Sequence, residues 1–148
     1  MQLAHARPSH VRNGDPTNDA PKHQSRGSAG SADVQPVVVA TGSKLVFVSG
    51  QEPEDLHGKL VGLDDLATQA RQVFANLGRA LAAAGAAPAQ VARITIYVVN
   101  YDRDECLPII EKARVGLFGD HKPADVVLGV ASLSPGYLIE VDAVAVID

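Results

Sequence analysis

The sequence predicts an α+β fold in which two helices cover one face of a mainly antiparallel sheet. Residues 63–86 repeat apolar side chains at helical spacing, whereas several shorter stretches are β-branched and are separated by polar, glycine-bearing loops. The chain has 148 residues and 46% hydrophobic residues, which is enough for one domain with a substantial core. We therefore expect a single domain over residues 34–148, a sandwich in the order β-β-α-β-α-β-β.

The segment before this domain has a different composition. Residues 1–33 are rich in Pro, Gly, Ser, Asn and Asp and hold almost no large apolar side chains. Such a composition cannot bury enough surface to offset the entropy of ordering, so we expect a disordered or loosely docked tail. An arm that packs on a neighbouring subunit is the alternative. Its three histidines have no regular metal-ligand spacing, and no metal site is expected there.

The first predicted elements are a hairpin and a long helix. "PVVVA" and "KLVFVSG" are β-branched runs separated by "TGS", which favours two paired strands. In the helix that follows, the apolar stripe comprises Leu66, Ala70, Val73, Leu77, Leu81 and Ala84. Asp64 and Asp65 stand where the helix dipole favours anions, and Gly85 is placed to end the helix.

Three further strands and a second helix complete the prediction. "QVARITIYVVN" predicts a strand in which Ile94, Ile96 and Val98 share one face. Residues 102–119 predict a helix that starts late or is kinked, because Pro108 lies inside it. "ADVVLGVASL" and "YLIEVDAVAVI" predict two strands separated by "SPG". In the last strand, Leu138, Glu140 and Asp142 alternate with apolar residues.

Charge and cysteine content narrow the classes of function and compartment. The net charge of −4 argues weakly against broad nucleic-acid binding, which needs a basic face. A single cysteine, Cys106, excludes an intrachain disulfide and a multi-cysteine zinc site. Asp104 and Glu105 beside it disfavour a reactive thiolate. No apolar run approaches a membrane span and no secretory signal is present, so we expect a cytoplasmic protein without membrane contact.

The predicted sheet has one face without a cover. Both helices occupy the other face, and the strands carry apolar residues on each side. An apolar sheet face exposed to water predicts self-association.

Four stretches of the chain are "LVFVSGQEP", "ATQARQVFANLGRALAAAGAAPAQVARITIYV", "FGDHKPADVV" and "YLIEVDAVAV". Taken together, they resemble the RidA/YjgF family, also known as the L-PSP endoribonuclease or UK114 family. The likeness covers roughly residues 36–148 and keeps the order of the family's motifs.

The resemblance implies a chorismate-mutase-like protomer within a homotrimer whose sheets pack into a central barrel. It also implies clefts for small molecules between subunits, where relatives hydrolyse reactive enamines and imines without a cofactor or a metal.

This sequence departs from the family at the substrate clamp. Deaminating members begin the strand after "P-A" with an arginine that holds the substrate carboxylate through two hydrogen bonds. The matching position here is Asp125, and the family's tyrosine in a "G-P-Y" motif is also missing. The familiar reaction is therefore not expected to transfer.

Other family positions are retained. Glu140 matches the glutamate that positions or activates water in active relatives, although Asp142 shares its face. Ser49 and Gly50 match the "SG" that lines the cleft. Tyr137 is a candidate for the aromatic wall of the cleft. His121 is a candidate substrate-binding residue that reaches the cleft and titrates there, and the alternative for it is a structural role in its loop.

Two functions remain open at this point. Asp125 and Glu140 together would make an acidic cleft, suited to acid–base chemistry on a small amine, imine or enamine. In the alternative, the protein is a non-catalytic trimer that binds a small metabolite, and Asp125 only caps backbone or faces solvent. A ribonuclease activity rests on the family label alone.

Overall fold

The structure, a computed structural model, describes Gln35 and residues 37–148. Its strands are β1 (Lys44–Gln51), β2 (Val91–Val99), β3 (Ala124–Val130) and β4 (Ile139–Ile147), and its helices are α1 (Leu66–Ala83) and α2 (Arg103–Phe118). A short 3₁₀ turn, Pro88–Gln90, leads into β2. The strands form one sheet in the order β1-β4-β2-β3.

Strand β4 lies inside the sheet and is antiparallel to both of its neighbours, β1 and β2. Strand β3 is parallel to β2, because α2 carries the chain back across the sheet between them. The α+β class and the two helices are thus confirmed, and two of the three strand pairings are antiparallel.

The prediction of a strand at "PVVVA" is wrong for the residues of this stretch that the structure describes. Residues 37–40 adopt no strand, so the described order is β-α-β-α-β-β. Val37 and Val39 are 56% and 89% exposed, so this β-branched run is not packed into the sheet. β-branched side chains favour an extended backbone, but they do not provide a strand with a partner. The predicted tail, residues 1–33, lies outside the described residues.

The core forms between the helices and one face of the sheet. Ile94, Ile96 and Val98 of β2 are fully buried, as their alternation predicts. They belong to the same apolar cluster as Val73 and Leu77 of α1. The opposite face of the sheet leaves large apolar side chains in water: Leu45 is 62%, Phe47 74% and Leu128 42% exposed.

The helix ends follow from short polar contacts. Asp65 caps α1 by accepting a hydrogen bond from the Thr68 N–H at 3.1 Å, and Gly85 follows the helix with a φ of +73°. Of the two outcomes predicted for α2, a late start or a kink, the late start does not occur, because the Asp102 side chain caps the helix well before Pro108. Proline in the second turn removes one backbone hydrogen bond and does not prevent the first turn from forming.

Among the described residues, neither helix is both long and apolar enough to cross a membrane.

Candidate functional site

Strand alternation places Glu140 on the sheet face that the helices do not cover. Glu140 lies opposite Tyr97 across the β2–β4 pair, while the adjacent pair, Ile96 and Val141, is fully buried in the core. Successive side chains in a strand point to opposite faces. The side chains of Glu140 and Tyr97 therefore share the open face.

Gly50 and Glu140 meet at the end of β1. A Cβ atom built on Gly50 would lie 1.7 Å from Glu140 Oε1, so the carboxylate occupies the space that any other side chain would need. The register of β1 against β4 is irregular between Val48 and Gln51, which is where this approach occurs. The neighbouring residue, Ser49, is exposed. The structure thus brings together the Gly50 backbone and the Glu140 carboxylate, and the cleft roles predicted for them stay predictions.

Glu140 lies in an anionic environment. Partial burial raises the pKa of its carboxyl group above the ordinary value, and the nearby charges of Glu52 and Asp142 raise it further. Within the described part of the chain, no cation pairs with the Glu140 carboxylate. Asp142 is engaged by Tyr97, whose hydroxyl donates to Asp142 Oδ2 at 2.8 Å and whose pKa is raised mainly by this bond. The Glu140 carboxyl group therefore retains a proton more readily than an ordinary glutamate does.

Tyr137 joins the loop before β4 to the loop after β1. Its hydroxyl donates a hydrogen bond to Glu54 Oε1. This bond, together with desolvation and the charges of Glu54 and Glu52, raises the pKa of Tyr137 to about 12. The charge of Glu52 raises the pKa of both Tyr137 and Glu140.

Gln69 of α1 holds the segment that leads into β4. Its buried amide donates to the carbonyl oxygens of Gly62 at 3.0 Å and Gly136 at 2.8 Å, and its Oε1 accepts from the Leu138 N–H at 2.7 Å. Sequence reasoning missed this residue. The available signal was a glutamine three residues after Leu66 and next to Ala70, within the apolar stripe of α1.

Two further polar side chains of α1 hold the opposite loop. Gln72 Nε2 donates to the Glu54 carbonyl at 2.8 Å, and Asn76 Nδ2 donates to the Glu52 carbonyl at 2.7 Å. One helix therefore anchors both loops by their backbones, and the Glu54 carboxylate is engaged by the Tyr137 hydroxyl.

Asp125 lies on the other face of the sheet. It pairs with the fully buried Ile94 in the β2–β3 register, and its Oδ2 lies 3.4 Å from Nη1 of Arg114 on α2. The Asp125 side chain is 7% exposed. The prediction that Asp125 and Glu140 form one acidic cleft is wrong for a single protomer, because the register of β3 turns Asp125 toward the helices.

His121 is also separate from the Glu140 cluster. One ring nitrogen, Nε2, lies 2.7 Å from the Val91 carbonyl oxygen, and the ring packs against Phe118 with centroids 6.2 Å apart. In this arrangement His121 fixes the end of α2 to the start of β2. Cys106 is buried, and no group of three or more potential metal ligands occurs among the residues described.

On the open face, Glu140 and Asp142 lie beside the phenol of Tyr97, and the charge of Glu52 acts on Glu140; these residues are called the acidic cluster. Glu54 and Tyr137 form a hydrogen-bonded pair on the adjoining loops. The charge of the acidic cluster favours a cationic ligand, and a carboxyl group with a raised pKa can exchange protons near neutral pH more readily than an ordinary one.

Comparisons with known proteins agree with this architecture. A family model described as Endoribonuclease L-PSP matches residues 32–147. A RutC family protein of Pyrococcus horikoshii is 31% identical over 101 residues, covering 68% of this chain and 78% of that protein.

Solved structures give the same relationship. A Rid family protein of unknown function from Yersinia pestis superposes with a TM-score of 0.72 at 34% identity, covering 77% of this chain and 86% of its own. A member of the YjgF/YER057c/UK114 family from Mycobacterium tuberculosis has a TM-score of 0.57 at 31% identity, covering 69% of this chain and 78% of its own. The α+β fold and the matched sequence lead to one conclusion: this chain belongs to the Endoribonuclease L-PSP family, which is the RidA/YjgF family.

Proposed function

We propose that the protein is a divergent RidA/YjgF-family member that acts on a small amine, imine or enamine metabolite, by hydrolysis or acid–base chemistry. The observation that carries this proposal is the Glu140 carboxyl group, which lies against Gly50 among other anions and has a raised pKa. Such a group can protonate a nitrogen and attract the resulting cation. No cofactor or metal is needed for this chemistry.

The proposed reaction on an imine has two steps. The Glu140 carboxyl group donates its proton to the imine nitrogen, and the resulting carboxylate then accepts a proton from the water that attacks the carbon. The product is a carbinolamine. In the second step the Glu140 carboxyl group protonates the carbinolamine nitrogen, the C–N bond breaks, and the Glu140 carboxylate accepts the hydroxyl proton. Ammonia and a carbonyl compound are released, and one water is consumed for each imine.

The remaining site residues have supporting roles in this proposal. Gly50 and Ser49 form the backbone wall beside Glu140, and Tyr137 forms the opposite wall. Asp125 and His121 contribute to the fold and not to this cleft, because their partners are Arg114 and the Val91 carbonyl.

We propose a homotrimer, with clefts between subunits, as the assembly that completes the site. The support is the exposed apolar face that carries Leu45, Phe47 and Leu128 beside the acidic cluster. The proposed domain is residues 34–148 and the proposed compartment is the cytoplasm, which suits a chain with a single buried cysteine. A monomeric mass in multi-angle light scattering would contradict the trimer.

The second candidate is a non-catalytic trimer that binds a cationic metabolite. The support for it is the residue at position 125. Deaminating relatives carry the substrate-clamping arginine at the matching position, whereas this chain carries Asp125, which pairs with Arg114. The clamp of the familiar reaction is therefore missing. Ribonuclease activity, which the family's description suggests, finds no support in the acidic open face.

The test compares two imines generated in situ and follows ammonia release. One is 2-iminopropanoate, which carries a carboxylate, and the other is an alkyl imine formed by an amine oxidase, which does not. We expect faster release above background only for the alkyl imine, because the acidic cluster repels a carboxylate. Equal acceleration of both imines would contradict the charge argument. No acceleration of either imine, with saturable binding of the parent amine, would establish the binding function instead.

A further inference from the structure

A groove between the two helices lies away from the acidic cluster. It has a volume of about 550 Å³, and the residues that line it are Ala67, Arg71, Phe74, Ala75, Pro108, Ile109, Lys112, Ala113, Gly116 and Leu117. All of them belong to α1 and α2. The groove is on the helix side of the sheet, so the proposed trimer contact through the open sheet face leaves it accessible.

The floor of the groove is apolar and firmly packed. Phe74 and Ala113 are buried, and Ile109 and Leu117 are partly buried. Phe74 is held by an edge-to-face contact with Phe118, with ring centroids 6.3 Å apart. The groove is therefore a preformed apolar surface and does not depend on a side chain moving aside.

The walls of the groove are made of small residues. Ala67 and Ala75 stand on α1, and Gly116 stands opposite on α2. A Cβ atom on Gly116 would meet no atom within 4 Å, so the space above this residue is open. Larger side chains at these three positions would fill the groove. It is the small residues that keep it open.

Among the described residues that line the groove, the charged side chains are Arg71 and Lys112, in a protein whose net charge is −4. Both are exposed at the rim. Arg71 Nη2 donates to Thr68 Oγ1 at 2.7 Å, and Thr68 in turn donates to Asp65 Oδ2 at 2.6 Å, so part of the Arg71 charge is compensated. Lys112 contributes the second positive charge of the rim.

From these observations we infer that the groove binds a small amphiphilic anion, namely a carboxylate attached to an apolar chain. The apolar floor accepts the chain and the two rim cations attract the carboxylate. This site is independent of the proposed imine chemistry, which uses the other face of the sheet.

The experiment titrates decanoate into the full-length protein and follows backbone amide shifts by NMR. Decanol, which has the chain without the charge, and acetate, which has the charge without the chain, serve as matched ligands. We expect saturable binding of decanoate, with shifts confined to α1 and α2, and weaker binding of both controls. No saturable binding, or equal affinity for decanol, would overturn the inference.

Three variants locate the ligand. Gly116→Leu fills open space in a helix and should fold normally, yet it should weaken decanoate binding at least about tenfold. Lys112→Gln should weaken it by about threefold, and Arg71→Gln by less, because exposed charge pairs are individually weak. Lys59→Gln, which removes an exposed lysine from a loop that does not line the groove, is the control and should change nothing. Unchanged affinity in Gly116→Leu would overturn the site, as would binding of an acidic amphipathic peptide in place of decanoate.

Discussion

Two carboxylates on opposite faces of the same sheet have opposite surroundings. Asp125 faces the helices, where its side chain is 7% exposed and Arg114 supplies a guanidinium at 3.4 Å. Glu140 faces the open side, where burial and two nearby anions raise its pKa. Among the described residues, no cation accompanies it.

The difference separates a structural charge from a candidate functional one. A buried charge that is paired contributes to a unique packing, and removing its partner is costly. A half-buried charge placed among like charges lowers stability and persists where another requirement retains it. Substitutions around Asp125 and around Glu140 should therefore differ in their effects, and the largest effect is expected at the partner of Asp125.

Replacement of Arg114 should produce the largest loss of stability. Arg114→Met removes the guanidinium that lies 2.7 Å from Glu111 and 3.4 Å from Asp125, so Asp125 stays buried without this cation and Glu111 also loses its ion pair. We expect the free energy of unfolding to fall by about 3–5 kcal/mol. Urea denaturation measures this change. In the double variant Arg114→Met/Asp125→Asn, which removes both charges, at least half of the loss should be recovered. A loss below about 1 kcal/mol in the single variant would show that Asp125 is solvated.

Replacement of Gln69 should be the next most costly change. Gln69→Met keeps the length of the side chain but leaves the Leu138 N–H and two carbonyl oxygens without partners, so we expect a loss of about 3 kcal/mol. Hydrogen exchange at the Leu138 amide should also accelerate.

The matched control for this prediction is Gln72→Met. Gln72 is only partly buried and holds the other loop of the site, so water can replace its hydrogen bonds. We expect a loss below about 1 kcal/mol. Equal losses in the two variants would contradict the central position that we assign to Gln69.

A side chain at Gly50 should displace Glu140. Gly50→Ala places a Cβ atom 1.7 Å from Glu140 Oε1, and the strain should cost about 1–3 kcal/mol. Adding Glu140→Ala should restore most of this loss. Gly116→Ala is the control, since its Cβ meets nothing within 4 Å, and it should stabilise α2 by about 0.5–1 kcal/mol. If the Gly50 and Gly116 variants behaved alike, Glu140 would not lie against Gly50.

Removal of the Glu140 charge should have the smallest effect, and one of opposite sign. The pKa of Glu140 is higher in the folded protein than its ordinary value of 4.5, so the folded state binds more protons between the two values and stability falls as the pH rises through that window. Glu140→Gln removes this loss. We expect it to be more stable than the wild type above the window, by less than about 1 kcal/mol, with no difference below it.

Urea midpoints measured from acid to neutral pH test this sign. If Glu140→Gln became less stable than the wild type as the pH rose, the Glu140 carboxylate would have a stabilising partner, and the predicted sign would be wrong.

The parts of the fold that the sequence predicts depend on local periodicity. Alternation in β2 and β4 assigns Ile94, Ile96 and Val141 to the core and Glu140 to the open face, because a period of two fixes faces within one strand. Asp65 and Gly85 likewise mark the ends of α1 through short-range contacts.

The parts that the sequence did not predict depend on long-range register. The stretch "ADVVLGV" has no polar alternation, so the face of Asp125 follows only from its pairing with Ile94. The prediction for residues 37–40 failed for the same reason, because a β-branched run does not reveal whether a partner strand exists. Gln69 makes contacts 67 and 69 residues away along the chain, which no local pattern contains.

The account is tested most directly by comparing Glu140→Gln with Asp125→Asn in the alkyl-imine assay, with urea denaturation of the same samples. We predict that Glu140→Gln abolishes the acceleration of ammonia release and keeps its stability, whereas Asp125→Asn loses stability and keeps most of its activity. The reverse pattern, in which Asp125→Asn abolishes activity in a folded protein while Glu140→Gln remains active, would contradict the assignment of the site to the open face.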